Sequence, residues 1–191
     1  MFQKGEYVIH GNNGACFIED VSHLNIPGSD RNRLYYVLQP LGTRESKIYS
    51  PVDNNKVYIR KILTRKEAEA LLEEIPDIEQ IWIPNEKLRE EKYKEVMKAC
   101  DCRQWIGMMK TLYFKRRQRM AQGRKFTAVD ERYLREAEER LYGELSLSFG
   151  LERTEMEQKI IGCLDVYKRQ GWQSCWIPQK KGFRRHCSNP G

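Results

Sequence analysis

The first sixty or so residues follow the two-residue apolar period of β-strands. Turn-forming residues divide them into short segments, and Gly11-Asn12-Asn13-Gly14 and Pro27-Gly28-Ser29-Asp30 are the clearest of these turns. The segments, which are rich in branched and aromatic residues, are 6–10, 15–18, 34–38, 46–52 and 56–62. Five short strands in such a length predict a small antiparallel β barrel or a strongly bent sheet.

The apolar period changes to that of a helix near residue 64. Thr64 and Glu67 form a capping box, and Pro76 ends the helix that follows. Later helices are expected to begin at Asn85, Asp101, Thr127 and Thr154, with Gly123 and Gly150 as stops. The pattern therefore predicts an α+β chain, in which an N-terminal β module precedes an all-α module of four to five helices.

These elements divide the chain into four parts. We expect a β domain over 1–62, a linker helix and junction over 63–84, a helical domain over 85–162, and a non-native or disordered tail over 163–191. The tail holds half of the six cysteines but has no apolar period. A metal clip of Cys163, Cys175, His186 and Cys187 is the alternative, but its spacing fits none of the common zinc patterns.

The net charge of +7 is unevenly distributed along the chain. Residues 1–76 carry ten basic and ten acidic side chains, and residues 77–162 carry 18 basic and 16 acidic ones. Residues 163–191 carry six basic and one acidic. Most of the excess lies in the tail, so the local distribution is more informative than the total.

The sequence has no recognisable catalytic motif. Metalloprotease, nucleophile-elbow, Walker and dinucleotide-binding patterns are all absent. We therefore expect neither catalysis nor a cofactor, although an unpatterned carboxylate pair stays open. No stretch is apolar enough to span a membrane or to act as a signal peptide, and Cys16, Cys100 and Cys102 are expected to be free thiols. These features predict a cytoplasmic protein.

A long basic run is the feature of the helical module that best suggests a ligand. Between Cys102 and Val129 there is no acid, and the eight basic residues are Arg103, Lys110, Lys115, Arg116, Arg117, Arg119, Arg124 and Lys125. Arg103, Lys110 and Arg117 are spaced by seven and share one helix face. Such a stripe fits contacts to a nucleic-acid backbone rather than to base edges. A merely solvated basic face is the alternative.

Two stretches resemble the CarD/CdnL family of bacterial transcription regulators. The first is Phe2-Gln3-Lys4-Gly5-Glu6-Tyr7-Val8-Ile9-His10 with Gly14, which resembles the RNA-polymerase-interacting module that the family shares with transcription-repair coupling factors. The second is Phe126-Thr127-Ala128-Val129-Asp130-Glu131-Arg132-Tyr133-Leu134, continued by Gly143-Glu144-Leu145. Together they cover about residues 1–160 and stop where the tail begins.

The resemblance implies a non-enzymatic, nucleoid-associated factor with a Tudor/SH3-like β module. That module would bind the RNA polymerase β subunit by strand addition at an exposed strand. The residues implied are Ile26, Lys47, Ile48, Tyr49, Pro51 and Val52. The helical module would contact promoter double-stranded DNA near the upstream edge of the melted region and stabilise the open complex. The residues assigned to this contact are Trp82, Lys94, Arg103, Lys110, Arg117, Arg124, Lys125 and Arg132.

The chain departs from the family pattern at several of these positions. Leu24 and Tyr49 occupy places where some members carry arginine, so the docking contacts must differ in detail. Arg89 stands where those members carry a tryptophan wedge, and Trp82 is the candidate replacement. Packing of Trp82 at the domain junction is the alternative. A protein–protein adaptor that does not touch DNA is the alternative function.

Overall fold

The fold is an antiparallel sheet followed by five helices, as the α+β prediction requires. The structure is a computed structural model and describes residues 1–24, 30–41, 46–54, 57–83 and 85–169. Its strands are β1 Tyr7–His10, β2 Ala15–His23, β3 Leu34–Pro40, β4 Ile48–Pro51 and β5 Ile59–Lys61. Its helices are α1 Arg65–Glu74, α2 Arg89–Ala99, α3 Cys102–Ala121, α4 Ala128–Phe149 and α5 Arg153–Arg169.

The five strands form one antiparallel sheet in the order β4-β3-β2-β1-β5. β2 continues five residues beyond the predicted end at Ile18 because a register shift between Ile18 and Asp20 lets it follow β3. β5 is shorter than predicted and consists of three residues. Among the described strands, β4 and β5 are therefore the two edges of the sheet.

The turn between β1 and β2 depends on glycine. Gly11 has a φ of 41°, and a Cβ atom there would lie 2.6 Å from Cγ1 of Val57. Only glycine combines this backbone conformation with such a close approach. The turn places Gly11 beside the start of β5, and the amide of Gly11 donates to the carbonyl of Tyr58 at 2.8 Å.

Three helices, α1, α3 and α4, begin where the sequence places a capping residue. The capping box of Thr64 and Glu67 is present, and the side chains of Asp101 and Thr127 accept the amides of Arg103 and Asp130. A 3-10 turn over Glu86–Leu88 separates the predicted cap Asn85 from α2. Gly150 ends α4 in the left-handed conformation, as predicted.

The last helix is longer than expected. α5 runs to Arg169 and so continues beyond residue 162, where the helical module was predicted to end. Met156 and Ile160 are fully buried, and Cys163, the first residue beyond the predicted end, packs against the same cluster. The remainder of the predicted tail, 170–191, lies outside the described residues, as do Cys175, His186 and Cys187 of the metal-clip alternative.

The large hydrophobic core belongs to the helices but extends into the sheet. Trp105, Tyr93 and Leu141 are among its fully buried members, and Ile9 and Ala15 join it from β1 and β2. A separate small core inside the sheet contains Val8, Cys16, Ile18, Tyr36 and Leu38. The β module is therefore packed directly against the helical module as well as being connected to it by the chain.

The segment between α1 and α2 lies along α3. The amide of Ile81 donates to Oγ1 of Thr111 at 3.0 Å, and a Cβ atom on Gly107 would lie 2.7 Å from the carbonyl oxygen of Glu79. Gly107 thus permits the close contact between this segment and the helix. This segment covers the face of α3 that carries Lys110, which the sequence pattern predicted to be exposed.

Within the described ranges, no helix has both the length and the apolar content needed to cross a lipid bilayer.

Candidate functional site

The first candidate surface is the open edge of the sheet at β4. The amide of Val52 donates to the carbonyl of Leu34 at 2.9 Å, which makes Tyr35 and Pro51 a non-hydrogen-bonded pair in the β3–β4 ladder. By alternation, the backbone amide and carbonyl of Tyr49 also point away from β3. Pro51 lacks an amide only on this open side, so it costs the ladder nothing.

The side chains of β4 divide into inward and outward groups. Ile48 and Val52 are half-buried against the small sheet core, whereas Tyr49 is 44% exposed. Lys47, just before the strand, is paired with Glu19 of β2 at 2.6 Å. Of the predicted polymerase contacts, Lys47 and Tyr49 are thus on the outside, and Ile26 lies outside the described residues.

The second candidate surface lies at the far end of the α3–α4 hairpin. We call it the basic tip, and it consists of Arg116, Arg117, Arg119, Arg124 and Lys125. Arg117, Arg124 and Lys125, which the sequence predicted, are all exposed there. The intervening turn uses Gly123, whose φ is 67°. Five cations without an acid between them form a concentrated positive surface.

Contacts within the basic tip hold two arginines that were not assigned to the site. The guanidinium of Arg116 lies 5.8 Å from the ring centroid of Phe126, and Nε of Arg119 donates to the carbonyl of Lys125 at 2.9 Å. Arg116 is exposed, and Met120, one turn further along α3, is 64% exposed. The core contacts of α3 therefore end before its last two turns.

A third group of charges lies beside the tip, on α2 and α4. Oε1 of Glu90 accepts from Arg132 at 3.0 Å and lies 3.4 Å from Nζ of Lys94. The charge of Lys94, together with the hydrogen bonds and charge of Arg132, lowers the pKa of Glu90. Both predicted cations are exposed, but they share one carboxylate, so this group carries a net charge of only +1.

The predicted Arg103–Lys110–Arg117 stripe is not a continuous exposed surface. Lys110 is 5% exposed, and its Nζ donates to the backbone carbonyls of Pro76 and Ile78 at 3.2 and 2.6 Å. Burial lowers the pKa of its ammonium group. The expectation that Lys110 faces DNA is therefore corrected, because the segment before α2 covers this face of α3.

Arg103 is exposed but engaged at the other end of α3. Its Nε and Nη2 donate to the two carboxylate oxygens of Glu74 on α1, at 2.7 and 2.9 Å. This bidentate pair neutralises the charge and lies some 20 Å or more from the basic tip along the helix. Arg103 therefore does not belong to the same surface as Arg117.

Two further cations, Lys115 and Arg89, are paired with a buried carboxylate of the helical module. Asp130 is fully buried and accepts from Tyr93 at 3.1 Å, and Nζ of Lys115 and Nε of Arg89 lie 3.2 and 3.4 Å from its carboxylate. Lys115 also contacts Glu86. Because Arg89 is engaged in this way, it does not form a free wedge at the position where the related proteins carry tryptophan.

Trp82 is presented to solvent by a well-anchored segment. Its side chain is 79% exposed, while Ile81 and Ile83 on either side pack against the helical core. This exposure disagrees with the alternative in which Trp82 packs at the domain junction. The side chain is available for contact with a partner, as a DNA wedge requires.

The cysteines of the described chain do not form a metal or redox site. Cys100 has a left-handed φ of 53° at the α2–α3 corner, and Cys102 is the first residue of α3. Burial raises the pKa of both thiols, and the neighbouring Glu144 carboxylate adds to the effect. Within the described ranges, no group of three or more potential metal ligands is found.

Comparison with known proteins gives one family. Residues 2–63 match the CarD-like/TRCF RID domain, which covers the whole β module and ends just before α1. This is an RNA-polymerase-interacting domain, so the match supports a transcription-related function and, in general terms, an interaction with the polymerase β subunit. No curated protein sequence matches the chain.

Proposed function

Because its β module belongs to the CarD-like/TRCF RID domain family, we propose that this protein is a transcription regulator. It binds the β subunit of RNA polymerase through the β4 edge and contacts promoter DNA through the basic tip and Trp82. The DNA contact lies near the upstream edge of the melted region and stabilises the open complex. The role is non-enzymatic.

The observation that carries the first half of the proposal is the open side of β4. Tyr49 offers a backbone donor and acceptor to a partner strand, and its exposed ring lies beside them. An added strand would complete the sheet, gaining affinity from main-chain hydrogen bonds. The Lys47–Glu19 pair next to it offers charge contacts that can set the register of that strand.

The second half rests on the charge and exposure of the basic tip. Five clustered cations favour phosphate oxygens, so we expect contacts mainly to the DNA backbone. The contact is expected to be weak by itself, since few phosphates are neutralised. Once polymerase holds the β module, however, the second contact becomes intramolecular and gains from the high effective concentration.

Substitution at Tyr49 tests polymerase binding. Tyr49→Pro removes the outward amide without breaking a β3–β4 hydrogen bond, and Tyr49→Ala at the same position removes only the ring. We expect Tyr49→Pro to weaken binding of the full chain to RNA polymerase at least tenfold and Tyr49→Ala to weaken it less, as measured by biolayer interferometry. Wild-type affinity of a folded Tyr49→Pro variant would contradict binding at this edge.

Salt dependence separates the proposal from an adaptor that does not touch DNA. The affinity of the full chain for a polymerase–promoter complex should fall with salt more steeply than its affinity for polymerase alone. The additional log–log slope should be about 0.9 for each phosphate contacted. Equal slopes in the two titrations would favour the adaptor.

A further inference from the structure

We propose that Glu144 is a positioning residue that fixes the orientation of the β module on the helical module. The polymerase-binding edge and the basic tip would then engage as parts of one rigid body. This inference rests on the proposed function for its consequences, but the rigidity itself can be measured without any partner.

Glu144 collects donors from three parts of the chain. It lies on α4 and is fully buried, and both oxygens of its carboxylate accept from the guanidinium of Arg60 on β5, with Nη2 to Oε2 at 2.7 Å. The amide of Leu63, in the connection to α1, donates to Oε1 at 3.0 Å. Sγ of Cys102, at the start of α3, donates to Oε2 at 3.2 Å. We call these four residues the junction.

The surroundings of the junction reinforce this geometry. Nε of Arg60 donates to the carbonyl of Cys100 at 2.7 Å, and Oγ of Ser148 donates to the carbonyl of Leu63 at 2.7 Å. Burial by itself disfavours the charged guanidinium, but the hydrogen bonds and charge of Glu144 outweigh it and raise the pKa of Arg60. Arg60 therefore keeps its charge and donates two hydrogen bonds to the Glu144 carboxylate.

Directional bonds matter here because few apolar side chains join the modules. Among the described residues, Ile9 and Ala15 of the sheet enter the buried cluster of the helices, and Ile62, just after β5, packs against it. Hydrophobic contact is non-directional and permits rotation. A bidentate arginine–carboxylate pair fixes an angle as well as a distance. The junction, more than the apolar patch, is thus suited to set the orientation.

The distance between the two surfaces makes this angle important. The junction lies at the start of α3 and near the end of α4, whereas the basic tip lies at the opposite end of the same hairpin. The 20 residues of α3 span about 30 Å. A tilt of about 10° at the junction would move the tip by roughly 5 Å over that length, enough to separate a guanidinium from a phosphate that it binds.

The test compares Glu144→Gln with a matched control. The variant keeps the shape of the side chain but removes the charge that orients Arg60. Arg60 also lines an open cleft of about 760 Å³, so its released guanidinium can reach water and the chain should still fold. The control is Glu74→Gln, which alters an equally bidentate arginine pair within the helical module.

Backbone ¹⁵N relaxation of the full chain gives the readout. Wild type and Glu74→Gln should show one rotational correlation time, whereas in Glu144→Gln the amides of the β module should show a shorter one. A single correlation time in folded Glu144→Gln, or two in the wild type, would overturn the inference. If Glu144→Gln fails to fold, the same relaxation measurement is made on Arg60→Lys, which should also show a shorter correlation time for the β module. Lysine keeps the charge but cannot form the bidentate pair.

The functional consequence is measured separately. Glu144→Gln should bind polymerase within twofold of wild type but shorten the lifetime of the open promoter complex about tenfold through lost effective concentration. If the two modules of Glu144→Gln tumble independently but the open-complex lifetime is unchanged, the link between module orientation and promoter contact is overturned. If wild type itself has no effect on open-complex lifetime, the proposed function fails, while the relaxation experiment still decides whether Glu144 fixes the modules.

Discussion

At the scale of single residues, the outcome for each charged side chain depended on what the fold places next to it. Lys110 and Arg117 share one helix face, yet the first is buried beneath two backbone carbonyls and the second is exposed. A helical period can identify a face but cannot tell which part of it another segment covers. The two residues consequently have opposite expected effects on stability and on DNA contact.

Lys110→Met should reduce stability without affecting DNA contact. It removes donors from the carbonyls of Pro76 and Ile78, so we expect the free energy of unfolding to fall by about 1–3 kcal/mol. Denaturant titration measures the change, with the exposed Lys98→Met as a control that should lie within about 0.5 kcal/mol of wild type. A shortened open-complex lifetime at unchanged stability would instead restore Lys110 as a DNA contact.

His10 should make stability depend on pH near neutrality. Its ring is buried, its Nδ1 accepts from the side-chain amide of Asn13 at 2.9 Å, and burial lowers the pKa of the imidazole below 6.5. The unfolded chain therefore binds more protons as the pH falls, so the stability contribution present above pH 6.5 is lost on acidification through the folded pKa. Thermal unfolding between about pH 7.5 and 5.5 should show a steeper loss for wild type than for His10→Gln, and equal slopes would contradict this assignment.

At the scale of elements, the β4 edge and the basic tip are the exposed parts of elements that pack elsewhere against the rest of the protein. β4 is paired on one side only, and α3 emerges from the core in its last two turns. The cations at that end are exposed apart from the half-buried Arg119. Lys110 and Lys115, nearer the middle of α3, are buried or half-buried against carbonyls or carboxylates. The basic tip is thus the part of the helical module with the largest excess of positive charge.

Reversing charges at the tip should weaken DNA contact while polymerase binding is kept. The double variant Arg117→Glu and Arg124→Glu should shorten the lifetime of the open complex. It should also reduce the log–log slope of affinity against salt by about twice the value expected for one phosphate contact. Arg65→Glu with Lys66→Glu on α1 changes the net charge equally at the opposite end of the hairpin and should have little effect. Similar losses in both double variants would indicate a general charge effect and no site at the tip.

At the scale of the whole molecule, the two modules are one packed structure. The helical core takes Ile9 and Ala15 from the sheet, and α5 adds Met156 and Ile160 from the other side. The division into domains at 62 and 85 remains a prediction. The extension of α5 past residue 162, however, moves the boundary at which a truncated chain should remain stable.

Removal of 170–191 should leave thermal stability unchanged, because the sequence of this stretch has no apolar period of a helix or strand. Ile160→Ala, in contrast, should lower the free energy of unfolding by about 2–5 kcal/mol, since it creates a cavity at a fully buried position. Calorimetry of the two variants and the full chain makes the comparison. A large loss of stability on removing 170–191 would show that the tail is part of the native structure.

The sequence by itself determined the local features. Thr64, Asp101 and Thr127 fixed the starts of helices because a cap acts on amides only two or three residues away, and Gly11 fixed its turn because the constraint is in its own backbone. Two stretches together suggested the family, and the match over 2–63 bears out the first of them. An exposed position for strand 46–52 also followed from local pattern together with that resemblance.

Only the tertiary structure decided which charges are available and what joins the modules. Arg60 and Glu144 are 84 residues apart, and no local pattern connects them. The burial of Lys110 and the exposure of Trp82 likewise depend on the segment between α1 and α2, which lies along α3. The pairing of Arg103 depends on the position of Glu74 at the end of α1. Charge, burial and pairing are properties of neighbours in space, whereas period and capping are properties of neighbours along the chain.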